Sequence, residues 1–488
     1  MQKKSRNLII FFGLLIIVQI IWIFNSNGFY FIDDSCHFNY NRNYFTKFYL
    51  EPFSAWSRFG RVILFAIPSL VGLKGVQIFS SLIFLLTIVY AYKIAKLKNI
   101  NNPEWIVLLI GFQSVLFNIS YTVLAELPAA ALIVISYYYY LKDKQLAVLV
   151  LSSLIFLFRT EYYFVCILYF VIYVVEKKWK LLPLVIIGPL VWYLHTYFIS
   201  QNPLQFFYDF GLHSRLPRIT EGIEWNYYFL RSPQIFGIVQ TLFFAISLFF
   251  VLKDKVIKDY YIPILIVFGG IVFHTLAALK GLNVSCSVGQ LRYVAVIGPM
   301  FGIVSLFGLD ETMKLIRKIK TKYYLSLVIV LIMFLSGPFV TPFHKKLALE
   351  EESDKIVELV NSKYVGYKVL SSLHYVANSL DEPTTGGEVF KELNKANFNK
   401  YDKSIIVFLK ELENDPFVSE TMKLRDIENN PNVKLLYTVK AKVNRNNDVP
   451  VNKYFYDWVY EFLKTIINYL VADQYSWEDF ELKVYLKD

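Results

Sequence analysis

Cysteine is scarce in this chain. Three residues, Cys36, Cys166 and Cys286, cannot build a disulfide framework or a zinc site. Charge is scarce as well: 18% of residues are charged and 56% are hydrophobic, too apolar a balance for an ordinary soluble protein. There is no Walker loop, dinucleotide-binding glycine pattern, zinc-protease helix or serine nucleophile elbow. Nucleotide-sugar chemistry on a soluble fold and the common hydrolase chemistries are thereby set aside. Internal repeats and low-complexity tracts are also missing. The first apolar run, residues 8–24, lacks a small-residue cleavage site, so it reads as a start-anchor helix rather than a removable signal.

What the chain has is a succession of apolar runs. Its net charge of +11 comes from Lys and Arg gathered in the short loops between them. That is a membrane-topology pattern, and it argues against a nucleic-acid partner. At about 1.5 Å per residue the first run spans about 25 Å, enough for a thin bilayer. Lys3, Lys4 and Arg6 place its start in the cytoplasm. Residues 62–72 are too few to cross and read as an interfacial helix. Runs at 76–95, 105–120, 122–141, 146–158, 162–175, 181–199, 235–252, 260–279, 292–309 and 324–340 complete a count of about eleven spans. Each loop assigned to the cytoplasm carries Lys or Arg. The loops 25–61, 200–233 and 280–290 then share the outer face with the C-terminal tail.

Past residue 340 the composition becomes charged and amphipathic. Strands are expected at 367–371, 404–410, 433–443 and 480–486. Helices are expected at 350–361, 387–397, 417–427 and 454–470. The reading is two domains: a transmembrane domain over 1–340 and a small α/β extracytoplasmic domain over 341–488.

Chemistry concentrates at the outer mouths of the spans. Phe31-Ile32-Asp33-Asp34-Ser35-Cys36-His37-Phe38 follows the first span and sets two carboxylates side by side. Repulsion raises the pKa of one and poises it as a general base. The pair is also the donor set for a divalent cation, Mg or Mn, the one cofactor the sequence suggests. The bland alternative is a solvated acidic turn. Glu126 opens an apolar run, where a charge needs a partner or a water-filled cavity. Arg159 and Glu161 share a tight two-helix turn, either as a phosphate grip or as a self-satisfied pair. Gln290, Arg292 and Tyr293 lie where the chain re-enters the membrane, Arg292 as a phosphate ligand or the pair Arg292 and Tyr293 as interfacial anchors, and Arg58 and Arg61 belong to the first outer loop. His37 is a candidate ligand for an acceptor or a metal, or a structural hydrogen-bond partner. His213, Arg215 and Arg218 belong to the second outer loop. His195 and His274, in or near spans, receive no role.

This set resembles the GT-C superfamily of polytopic glycosyltransferases. An Asp-Asp or Asp-Glu pair soon after the first span is its mark, and Asp34 stands where Glu is usual. Trp56-Ser57-Arg58-Phe59-Gly60-Arg61 resembles the Arg-containing stretch of its anchor-pathway mannosyltransferases, and Phe158-Arg159-Thr160-Glu161 their Arg turn. Gln290-Leu291-Arg292-Tyr293 with Pro299 resembles their Glu-x-Arg-Tyr element, with Gln290 replacing the acid. The resemblance implies a polyprenyl-phosphate sugar donor and an inverting transfer of a hexose or mannose type. The acceptor would be a lipid, glycan or protein on the outer face. Asp33 would be catalytic with Asp34, and the arginines would hold the donor phosphate.

Two other readings compete. A transporter or flippase of lipid-linked glycans would show repeated halves and mid-membrane polar residues. An O-antigen ligase or polymerase would rely on a large outer loop. Composition points to the inner membrane of a prokaryote, and Cys36 and Cys286, on the same outer side, form a conceivable disulfide.

Overall fold

The computed structural model describes residues 2–30, 32–42, 44–45, 58–208, 223–279, 290–316, 318–341, 343–346, 348–371, 373–380, 389–410, 422–442 and 479–488. The chain up to about residue 340 is helical. Helix α1 (Gln2–Asn25) is followed by α2 (Ile32–Arg42), α3 (Phe59–Leu70) and α4 (Leu73–Leu97). Among the described residues four helical segments are long and apolar enough to cross a membrane: Arg6–Asn25, Leu73–Leu97, Trp179–Ser200 and Ile257–Ala278. Gln145–Leu157, Thr160–Val175 and Ile238–Lys253 are shorter apolar helices, as is Phe59–Leu70, the run too short to span.

Two expected spans are broken. The 105–120 run divides into Ile106–Gly111 and Ser114–Ile119, with the break at Phe112 and Gln113. The 292–309 run divides into Leu291–Ala295 and Gly298–Leu315. The breaks meet. Pro299 has no N–H to continue the ladder, and the Gln113 side chain donates to the Gly298 carbonyl at 2.8 Å. An apolar run specifies burial, but not whether its backbone bonds stay within one helix, and here the Gln113 side chain ties one break to the other.

Close backbone approach holds the bundle. Helix Ile238–Lys253 lies so near Gly298–Leu315 that a Cβ on Gly308 would sit 2.2 Å from the Phe243 carbonyl oxygen. Ser247 Oγ accepts from Gly308 N at 2.7 Å, and Ser305 Oγ donates to the Gln240 carbonyl at 2.9 Å. Small residues and hydroxyls glue helices where hydrophobicity gives no preference for a neighbouring helix over lipid. Phe301 stacks between Phe236 and Phe244, with centroids 4.0 Å from each.

The C-terminal part holds one five-stranded sheet in the order β2-β1-β3-β5-β4. Its strands are β1 (Lys368–Ser371), β2 (Phe390–Glu392), β3 (Ser404–Leu409), β4 (Val433–Lys442) and β5 (Asp479–Lys487). β1 runs parallel to β2 and β3, whereas β5 is antiparallel to β3 and β4. β3, Ser-Ile-Ile-Val-Phe-Leu, is buried throughout, as a central strand covered on both faces should be. Ile405 and Val407 join Ile356, Val360 and Tyr375 on one face. Ile406 and Phe408 join Phe398 and Ile427 on the other.

The expected helix at 387–397 is a correction. Phe390–Glu392 pairs with β1, Val369 opposite Phe390, and the helix begins only at Lys395. Asn394 caps it, its Oδ1 accepting from Asn397 N at 2.8 Å. Sheet pairing outweighs helical propensity over these three residues. The described helical part of the 417–427 expectation is Leu424–Glu428, and 454–470 lies outside the described residues.

Candidate active site at the helix mouths

α2 begins beside the end of α1, with Asp33 and Asp34 in its first turn. The neighbours point differently. Asp34 is buried, and each of its oxygens accepts a backbone N–H: Oδ2 from Tyr30 at 3.0 Å and Oδ1 from Val123 at 2.9 Å. It ties the acidic turn to the segment that leads into Glu126. Asp33 is 26% exposed, and its Oδ2 accepts from Arg292 Nη2 at 2.7 Å.

From Asp33 a chain of alternating charge runs inward. Arg292 Nε also lies 3.4 Å from Glu126 Oε1, on the first residue of helix Glu126–Leu141. The same Glu126 oxygen accepts from Arg159 Nη2. Arg159 Nη1 donates to Glu161 Oε1 at 2.8 Å, and Glu161 Oε2 lies 3.4 Å from Arg58 Nη1. Arg58 also donates to Thr160 Oγ1 at 3.0 Å. Three carboxylates thus interleave with three guanidiniums, drawn from five stretches of chain. Glu126 is 1% exposed, Arg58 and Glu161 are 13% and 14% exposed and Asp33 26%, so among the described residues of this chain Asp33 is the most open to solvent. Charges this far from water persist because each has an opposite neighbour.

Tyr293 floors the arrangement. The Arg159 and Arg292 guanidiniums lie 4.6 and 5.3 Å from its ring centre. Tyr162 Oη donates to the Tyr293 carbonyl at 2.6 Å. His274, buried within helix Ile257–Ala278, lies 5.8 Å from the Tyr293 ring and 5.3 Å from that of Tyr162. His274 receives no role from the sequence, where the signal that marks it is an imidazole inside an apolar run.

Arg61 and His37 sit one layer away. Arg61 is wholly buried, and its Nη1 donates to the His37 carbonyl at 3.1 Å and to Asn41 Oδ1 at 2.9 Å. That braces α3 against α2. Burial, with Arg61, Arg292, Arg159 and Arg58 around it, pushes the His37 imidazole well below its usual value, so it is neutral near pH 7. Cys36 is a free buried thiol. Cys286, Trp56, His213, Arg215 and Arg218 lie outside the described residues. Among the described residues no three His, Cys, Asp or Glu side chains gather as a metal site. Asp33 and Glu126 face arginines, and Asp34 faces backbone N–H groups.

Asp34 carries a pH signature. Burial raises its pKa to about 6, against the pull of the Tyr30 and Val123 N–H groups and of Arg292 and Arg61. In the unfolded chain an aspartate titrates near 3.9. Between these values the folded protein binds the extra proton. The contribution to stability is therefore fully present below about pH 3.9 and is lost as pH rises through about 6. Asp34→Asn should flatten the change in thermal midpoint between pH 4.5 and 7, which differential scanning fluorimetry on the detergent-purified protein would read.

No protein-family model matches the chain, and no curated protein does. Two solved structures do. The crystal structure of ArnT from Cupriavidus metallidurans bound to undecaprenyl phosphate superposes with a TM-score of 0.58 at 11% identity, over 82% of this chain and 92% of that one. ArnT from the same organism in the apo state gives 0.53 at 12%, with the same coverage. At that identity the likeness is one of architecture: the chain has the fold of ArnT.

Proposed function

We propose that this protein is an integral-membrane glycosyltransferase that moves a sugar from a polyprenyl-phosphate donor to a lipid, glycan or protein acceptor at the outer membrane face. One observation carries the reading. The Asp33–Arg292–Glu126–Arg159–Glu161–Arg58 chain ends in Asp33, its most exposed carboxylate, with guanidiniums banked behind it. A fold shared with a structure that holds undecaprenyl phosphate supports the class of donor. The proposal includes about eleven membrane crossings, a cytoplasmic N-terminus and an extracytoplasmic 341–488 domain.

The acceptor hydroxyl oxygen attacks the anomeric carbon from the side opposite the phosphate. The bond from that carbon to the phosphate oxygen breaks with inversion. Asp33 takes the hydroxyl proton, and the polyprenyl phosphate leaves with one more negative charge than it brought. Arg292, Arg159 and Arg58 are the groups that meet this growing charge, in a site where buried guanidiniums act strongly. A donor phosphate at Arg292 competes with Asp33 for that guanidinium. The carboxylate it releases gains basicity as its cationic neighbour turns to the phosphate.

The test is transfer by purified wild-type protein in nanodiscs, with a panel of radiolabelled polyprenyl-phosphate sugars and membrane extract as acceptor. The expected result is label in a lipid, glycan or protein product from one donor. Movement of intact labelled lipid between leaflets, with no product, would replace this reading with a flippase.

A further inference from the structure

The acidic turn is gripped from the far end of the sequence. Gly28 N donates to the His344 carbonyl at 2.7 Å, and His344 N donates to Ser26 Oγ at 2.9 Å. Phe29 N donates to Glu350 Oε1 at 3.3 Å. Glu350 is a buried carboxylate in the first turn of helix Ala348–Lys363, the helix that leads into the sheet domain. Contact here is very close: a Cβ on Gly28 would sit 2.3 Å from the Lys345 carbonyl carbon and oxygen. His344 stacks on Tyr121, 4.4 Å between ring centres, and its Nε2 lies 2.7 Å from Asn118 Oδ1. The strap therefore also touches the segment whose Val123 N–H holds Asp34.

The apolar contacts agree. Phe29 and Phe38, on either side of the acidic pair, belong to the same buried cluster as Leu349, Ile356, Val369 and Tyr375. Phe29 and Phe38 rings are 5.3 Å apart, and Phe29 and Tyr375 rings 6.3 Å. The core under one face of the sheet is continuous with the support of α2.

We infer that the C-terminal domain positions the general base, with Glu350 as the positioning residue that fixes the Phe29–Tyr30 backbone and, through it, the place of Asp33. The inference rests on the transferase reading. It adds that the sheet domain belongs to the catalytic apparatus and is more than a surface for the acceptor. Glu350 touches no reacting atom. Its carboxylate orders the backbone two to three residues before α2, and Tyr30 N in turn holds Asp34. A base displaced by a fraction of an ångström loses rate without losing donor, because the donor phosphate is held by arginines on other segments.

The test uses full-length protein in nanodiscs and a radiolabelled polyprenyl-phosphate sugar that the wild type turns over. Variants are Glu350→Ala, Glu350→Gln and Gly28→Ala, with Lys410→Ala, an exposed partner of Glu481, as control. The kinetic readout is kcat against KM for the donor, and the physical readout is hydrogen exchange over residues 26–42. Glu350→Ala should lower kcat about tenfold with donor KM within about twofold, and speed exchange at Phe29 and Tyr30. Glu350→Gln keeps the shape and one acceptor, so it should lose less. Gly28→Ala should reproduce the Glu350→Ala pattern by pushing the strap away, and Lys410→Ala should change nothing. Unchanged exchange in both Glu350→Ala and Gly28→Ala would overturn the strap. Faster exchange with unchanged kcat, or a loss confined to donor KM, would overturn the positioning role. If Asp33→Asn keeps full activity, the transferase reading loses its base, and the exchange data alone still decide whether the C-terminal domain orders the turn.

Discussion

Asp33→Asn should abolish transfer while leaving the protein folded and able to bind donor. A positioned general base is worth about 10²–10⁴-fold in rate, so turnover should fall at least a hundredfold. Asparagine has the shape of aspartate and no basicity. The substitution strands no charge, since Arg292 still has Glu126 at 3.4 Å. It falls on the most exposed carboxylate of the charge chain and leaves three guanidiniums facing two carboxylates. Thermal midpoint should fall by less than in Arg159→Ala, because Arg292 keeps one carboxylate neighbour and Asp33 is partly exposed. Donor affinity should be unchanged or tighter, because Arg292 no longer shares its charge with a carboxylate. Full transfer activity in this variant would remove Asp33 from the mechanism. Loss of activity together with loss of fold would make it a structural residue.

The candidate site was legible in the sequence to the extent that burial is costly for charge. Glu126, Arg159, Glu161 and Arg292 each stand at the boundary of an apolar run, where an ionisable group needs a partner. That argument selects residues without naming their partners. Nothing local pairs Arg292 with Asp33 across 259 positions, or seats Arg159 between Glu126 and Glu161. Nor does adjacency separate the two aspartates. Asp33 and Asp34 are equivalent in a sequence motif, whereas on the first turn of α2 one faces Arg292 and the other faces backbone N–H groups. Hydropathy located the helical runs but missed the breaks at Phe112–Gln113 and before Pro299. It averages over a window in which most residues are apolar whether or not the helix is continuous. The strap at residues 344–350 was equally invisible, because it works mainly through backbone groups that carry no side-chain signature.

Arg159→Ala should have the largest effect on stability of any single change at this site. Arg159 is buried between two carboxylates, and its removal leaves Glu126 and Glu161 facing a void with only half of their recorded cationic neighbours. Breaking one partner out of a buried ion network costs about 3–5 kcal/mol, several times the loss from an exposed pair. The thermal midpoint in detergent should drop by many degrees, and donor binding should go with it. Arg159→Lys should recover only part of this, because one ammonium on a flexible stem cannot donate to Glu126 and Glu161 in the planar fork that the guanidinium offers. The informative variant is the double, Arg159→Met with Glu126→Gln. It removes one charge of each sign and fills the space, so much of the lost stability should return, and the two substitutions should be strongly non-additive. Transfer should not return with it, because a stable fold does not replace a guanidinium that meets phosphate. Recovery of both stability and transfer in the double variant would mean that Arg159 is scaffold alone, and the phosphate-binding role would then fall to Arg292 and Arg58.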